Sequence, residues 1–181
     1  MDKLLTVVIP SYNVEKFLNQ TLDSFVCDEA VMKKFEVIVV DDGSKDNTAK
    51  IGKEYADKYP DTFRVISKEN GGHGSTINCG IRNAVGKYFK VVDGDDWVNT
   101  ADFVKLVEDL EKTESEYVFT NYYEYYDDVN RQKTVDFPQF KDGTEYDFAD
   151  VANKVYIPMH ALVIKTSVLK DNNIVIDEKC F

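Results

Sequence analysis

The 181 residues carry 33 acidic and 22 basic side chains, for a net charge of −11, with 43% hydrophobic and 30% charged residues. That composition suits one folded domain with a sizeable core, and it argues against broad binding to nucleic acid or to an anionic membrane surface because no basic stripe offsets the negative charge. The apolar runs are too short to span a bilayer, the N-terminus lacks the apolar core of a signal peptide, and the widely spaced Cys27, Cys79 and Cys180 suit reduced structural thiols in a cytoplasmic protein.

Leu4 to Ile9 is an unbroken apolar run stopped by Pro10, the pattern of a strand buried on both faces. Asn13 is placed to cap a helix whose apolar stripe is Val14, Phe17, Leu18, Leu22 and Phe25. Glu36 to Val40 is a second buried strand running into Asp41-Asp42-Gly43-Ser44, after which Asp46 caps a helix carrying Ile51, Tyr55 and Tyr59. Phe63 to Ser67 is a third strand. The loop Gly71-Gly72-His73-Gly74 opens a third helix, with Ile77, Ile81, Ala84 and Val85 inward. The strand from Tyr88 then delivers Asp93-Gly94-Asp95-Asp96, and Phe103, Leu106, Val107 and Leu110 mark a fourth helix capped by Asn99 or Thr100. After about residue 115 the texture changes. Tyr117 to Tyr126 is dense in aromatics, residues 131–137 read as its antiparallel partner across an acidic turn at Asp127-Asp128, and Asp142-Gly143 is a further turn. This last third reads as a mixed α/β continuation of the same domain.

Strand and helix alternate with short connections, which implies right-handed crossovers and a mostly parallel sheet covered on both faces. Ligands of such sheets bind beyond the carboxyl ends of the strands. Three of those ends are polar here: Ser11-Tyr12-Asn13, Asp41 to Ser44, and Asp93 to Asp96.

The last cluster is the most informative. Asp93 and Asp95 alternate along an extended backbone, and Gly94 between them has no side chain to crowd a ligand. Such clustering is costly unless a cation neutralises it, and hard ions such as Mg²⁺ or Mn²⁺ do so with few protein carboxylates when phosphate oxygens complete their shell. An acidic strand-end turn is the plainer alternative. Asp41-Asp42-Gly43-Ser44 can accept hydrogen bonds from a base imide or a ribose hydroxyl, or can simply cap a helix. Tyr12 can stack on a nucleobase or merely pack. The glycines at 71–74 can cradle phosphate, yet the third glycine of a dinucleotide fingerprint is replaced by Ile77 and the run follows the third strand, which rules out a Rossmann cofactor site. His73 is a phosphate or sugar contact or an exposed loop residue. Lys68 and Arg82 are phosphate partners or, as we prefer, solvated surface charges. Trp97 suits a sugar platform or the core, and Tyr122 to Tyr126 suit strand packing better than an acceptor groove. His160 has no assigned role.

Taken together these residues resemble the family-2, inverting, nucleotide-sugar-dependent glycosyltransferases of the A-type fold. The resemblance lies in Val7-Val8-Ile9-Pro10-Ser11-Tyr12-Asn13, in Glu36 through Asp41-Asp42-Gly43-Ser44 to Thr48, in Glu69-Asn70-Gly71-Gly72 with Asn78-Cys79-Gly80, and in Gly86-Lys87-Tyr88-Phe89 running on to the D-x-D motif Asp93-Gly94-Asp95. It covers residues 4 to about 113. The implied architecture is a three-layer α/β/α, Rossmann-like nucleotide-diphospho-sugar transferase fold with a mostly parallel central sheet. The implied organisation is a single domain over 1–181, with a nucleotide-sugar-binding half at 1–113 and a partial acceptor-side half at 114–181.

The resemblance also implies roles. Asp42 recognises the nucleobase beside Pro10 and Tyr12, and Asn13, Asp41, Gly43, Asn70, Gly71 and Gly94 complete the donor site. Asp93 meets ribose or metal, and Asp95 coordinates Mn²⁺ or Mg²⁺ at the diphosphate. The donor is expected to be a nucleoside-diphosphate sugar, UDP-linked by preference, and the acceptor a saccharide or a lipid-linked molecule attacked with inversion. Thr76-Ile77-Asn78 stands where many members have Ala-Arg-Asn, and the family's catalytic base is expected beyond Phe181, in a catalytic domain that continues past this segment. Localisation is expected to be cytoplasmic, with peripheral membrane association through regions outside these residues. Two other readings remain open at this point: a haloacid-dehalogenase-like phosphatase and a non-catalytic nucleotide-sugar-binding domain.

Overall fold

A computed structural model describes residues 3–126, 131–152 and 154–178. The two apolar runs form adjacent parallel strands, β1 (Leu5–Ser11) and β2 (Phe35–Asp41), in which every residue is buried. Side chains alternate between faces with period two, so Leu5, Val7 and Ile9 enter one core and Val8 enters the other. Both faces are covered, which is why these strands read as continuous hydrophobic runs.

Strands β3 (Phe63–Ser67) and β4 (Tyr88–Val91) extend the parallel sheet, followed in the chain by β5 (Tyr117–Phe119) and later by β8 (Leu162–Lys165). The spatial order is β3-β2-β1-β4-β8-β5, with β8 antiparallel to both of its neighbours. Strands β6 (Tyr122–Tyr126) and β7 (Arg131–Val135) pair antiparallel as a separate two-stranded ribbon. The Asp127-Asp128 turn expected between them, like Cys180, lies outside the described residues; Cys27 and Cys79 are free thiols.

Helices α1 (Leu18–Asp23), α3 (Thr48–Lys58) and α5 (Thr100–Leu110) cover one face of the sheet. Helix α4 (His73–Asn83) and, late in the chain, α7 (Thr166–Asp171) cover the other. Short helices α2 (Glu29–Met32) and α6 (Phe148–Val151) lie in the connections. Phe103 of α5 meets Phe25 and Phe35 edge-on at 5.0 and 5.1 Å, anchoring that helix to the sheet. Asn99 caps α5 as expected, accepting from Ala101 and Asp102.

Several local expectations are corrected. Asn13 does not cap a helix: its φ is +55°, its Oδ1 accepts from the Lys45 amide, and α1 starts only at Leu18. Phe17 is consequently 47% exposed instead of inward. Val85 is 64% exposed, because α4 ends at Asn83 and the chain has turned extended at Ala84.

Candidate functional site

The chain builds outward from β1 in two directions, through β2 to β3 and then back across to β4, so β1 and β4 flank the point where strand order reverses. Parallel α/β sheets bind ligands at that point. A crevice of about 590 Å³ opens there, within the ordinary size of a small-molecule site. Its walls come from Pro10, Ser11 and Tyr12 after β1, from Asp42 after β2, from Asn70, Gly72 and His73 at the start of α4, and from Asp93, Gly94 and Asp95 after β4. Thr76 also lines it.

Asp42 is only 2% exposed, and its carboxylate is heavily engaged. Oδ1 accepts from Lys68 Nζ and from the Gly71 amide at 3.0 Å, and Oδ2 accepts from the Gly72 amide at 2.8 Å. Lys68 also donates to Ser75 Oγ at 2.9 Å, which ties the loop to the first turn of α4. Gly72, at φ +85°, directs its amide at Asp42 through a backbone conformation that glycine adopts without strain. Lys68 is therefore the counterion of Asp42, not a solvated charge. The parallel register Asp41↔Ser67 places residues 42 and 68 at the same level, which is the signal that locates the pair.

One residue beyond Gly72, His73 Nε2 meets Asp93 Oδ1 at 2.7 Å. That hydrogen bond holds the imidazole above its usual pKa, against desolvation and with further help from the charges of Asp93 and Asp95. Gly94 packs where a side chain cannot: a Cβ there would lie 2.9 Å from Val14 Cγ2 and 3.0 Å from the Pro10 carbonyl. Asp95 is open to solvent at the rim. The Asp96 carboxyl is raised above the usual range by partial desolvation and then by the charges of Asp93 and Asp95.

This excess of carboxylate suits a hard cation. Among the described residues no group of three or more His, Cys, Asp or Glu forms a complete metal-ligand set. Two carboxylates beside an open crevice instead fit an ion whose remaining positions are filled by ligand oxygens, as phosphate-bound Mg²⁺ typically is.

The other expected site residues sit behind the lining. Asp41 Oδ1 accepts from the Ser44 amide, and Gly43, at φ +76°, lets its turn approach the Asn70 amide closely. Asn13 joins the same structure through Ser44 and Lys45. These groups hold the loops that carry Asp42 and Tyr12. Gly71 contributes its amide to Asp42 rather than a surface to the crevice. Arg82 is exposed at the far end of α4.

Lys90 escaped the sequence reading altogether, because a lysine within a β-branched strand gives no sign of its partner. It is 4% exposed on β4 and donates to the carbonyl of His160, 70 positions later. Burial lowers its pKa to about 8 from the ordinary 10.5. Between these two values the unfolded chain holds a proton that the folded chain has released, so stability rises with pH in that window. We expect wild-type protein to gain up to about 3 kcal/mol relative to Lys90→Met between pH 8 and 10.5, read from urea midpoints, and parallel profiles would refute the lowered pKa of the buried lysine.

The sheet order and the carboxylate-lined crevice at its reversal point are those of a Rossmann-like, ligand-binding α/β domain. The chain belongs to glycosyl transferase family 2, whose family model matches residues 6–172. It is 37% identical over 123 residues to the uncharacterized glycosyltransferase EpsJ of Bacillus subtilis (strain 168), covering 68% of this chain and 35% of EpsJ. S. aureus TarS 1-349 superposes with a TM-score of 0.81 at 27% identity, covering 97% of this chain and 51% of that one. The same TarS fragment in complex with UDP-GlcNAc gives a TM-score of 0.78 at 26% identity, with 95% and 48% covered. The chain thus spans about a third of EpsJ and about half of the TarS fragment. Family membership sets aside the haloacid-dehalogenase-like alternative. No helix among the described residues is long and apolar enough to cross a membrane.

Proposed function

We propose that this chain grips a nucleoside-diphosphate sugar, UDP-linked by preference, in the crevice between β1, β2 and β4, within a whole protein that passes the glycosyl group with inversion to a saccharide or lipid-linked acceptor. The observation that carries this reading is the convergence of Asp42, His73, Asp93 and Asp95 on one crevice. The similarity to TarS, which has been crystallised with UDP-GlcNAc, supports the choice of donor.

In this reading Tyr12 supplies an aromatic face to the base at the mouth of β1. The base imide competes for the Asp42 carboxylate with the Gly71 and Gly72 amides. His73 holds Asp93 in place and brings positive charge near the diphosphate. Asp93 and Asp95 would hold Mn²⁺ or Mg²⁺, which when bound neutralises the departing diphosphate. An acceptor hydroxyl, deprotonated by a carboxylate, attacks the anomeric carbon from the side opposite the leaving group. Residues 1–113 would form the donor-binding half and 114–181 part of the acceptor-facing half. In the whole protein the domain would work in the cytoplasm or at the inner face of the membrane.

Thermal denaturation tests the donor site directly. UDP with Mn²⁺ is expected to raise the melting temperature by more than the sum of the two separate shifts, and Asp95→Ala to abolish that synergy. Equal synergy in the variant would refute the metal role, and no shift with UDP and Mn²⁺ in the unmodified chain would refute the donor site.

A further inference from the structure

Beyond the acidic rim the surface changes character. Trp97 directly follows the carboxylates, and its ring meets that of Tyr125 edge-on at 5.4 Å and 71°. These two rings are 42% and 45% exposed, large values for aromatics already in contact with each other. The ribbon register shows what accompanies them. Directly opposed residues of an antiparallel pair share a face, so Tyr125 stands beside Gln132, and Tyr123 beside Thr134.

Among the described residues of the ribbon, the charged side chains lie on the other face. There Glu124 binds Lys133 at 3.2 Å and the Tyr126 hydroxyl at 2.9 Å, while Arg131 lies over the Tyr126 ring at 4.8 Å. Tyr122, also on that face, packs edge-on against His160 at 4.7 Å. In a chain with 30% charged residues, the described residues on the ribbon face that meets Trp97 are aromatic rings, an amide and a hydroxyl.

We propose that Trp97, Tyr123, Tyr125 and Gln132 form a stacking subsite for an uncharged saccharide acceptor, selecting it against chains that carry phosphate. Exposed aromatic faces match the C–H faces of pyranose rings, and amide and hydroxyl groups match sugar hydroxyls without demanding a counterion. The carboxylates of Asp95 and Asp96, immediately before Trp97, repel an anionic acceptor at the same mouth. This inference rests on the donor-site reading above and adds the acceptor class to it.

Trp97 is the only tryptophan of the chain, so its emission reports on the subsite without labelling. The 181-residue protein, with UDP and Mn²⁺ present, is titrated with cellotriose, maltotriose and tri-N-acetylchitotriose, and separately with a glycerol-phosphate trimer. At least one neutral trisaccharide is expected to change Trp97 emission saturably, with the phosphate trimer about tenfold weaker or silent. Tyr125→Ala should weaken the saccharide response about tenfold while the UDP thermal shift stays at the wild-type value, and Tyr125→Phe should restore it. Silence toward all three trisaccharides, an equal or stronger response to the phosphate trimer, or an unaltered Tyr125→Ala titration would each overturn the subsite while leaving the donor site standing. Loss of the UDP shift in the unmodified protein would overturn the donor-site reading and the subsite with it.

Discussion

Asp42→Ala is expected to lower folding stability by roughly 3–5 kcal/mol, as removal of one partner from a buried ion pair does. The carboxylate is almost fully buried and is shared by an ammonium and two backbone amides. Its removal leaves the Gly71 and Gly72 amides without that acceptor and Lys68 without its countercharge. For a chain of this length the melting temperature should fall by about 10 °C. Asp42→Asn retains an acceptor and loses the charge, so its cost should be nearer 1–2 kcal/mol. Both variants should lose the response to UDP. An alanine variant within about 1 kcal/mol of wild type, measured by urea unfolding, would mean that the loop before α4 is held by something other than Asp42.

Gly86→Val should prevent cooperative folding. A Cβ at this position would lie 2.5 Å from both the Leu5 carbonyl carbon and the Thr6 nitrogen, backbone atoms at the start of β1. The surroundings are fixed from several sides. The Gly86 amide donates to Thr6 Oγ1 at 2.9 Å, Thr6 donates to the buried Glu36 at 2.6 Å, and the Gly86 carbonyl accepts from Thr166 at 2.6 Å. Three strands and α7 would have to move together, at an expected cost above about 4 kcal/mol. Gly143→Ala is the control: nothing lies within 4 Å of its Cβ, and only the strain of φ +67° is expected, about 1–2 kcal/mol. A soluble Gly86→Val protein with a wild-type unfolding midpoint would contradict this packing.

What could be read from the sequence follows from where its signals are local. The runs Leu5–Ser11 and Phe35–Asp41 announce buried parallel strands because both faces are covered and no polar alternation interrupts them. Once those strands are parallel, their polar ends must gather at one edge of the sheet, so the convergence of Asp42 and Asp93 on one crevice is legible in the sequence. The missed features depend on distant partners. Nothing near Leu162–Lys165 says that it will lie antiparallel beside β4, and nothing near Lys90 announces the carbonyl of His160. Asn13 misled for a related reason. A polar residue just before an apolar stripe reads as a helix cap, yet here its side chain is used by the loop carrying Ser44 and Lys45, and helix formation is delayed to Leu18.

Among the described residues, the ribbon of β6 and β7 shares no ladder with the six-stranded sheet. Side chains on its Trp97-facing side can therefore be exchanged with little disturbance to the packing that shapes the crevice beside β1 and β4. Under the proposed function, descendants of such a gene could drift in what they decorate while staying faithful to the same activated sugar, because mutations that retune one preference need not pass through misfolded intermediates of the other.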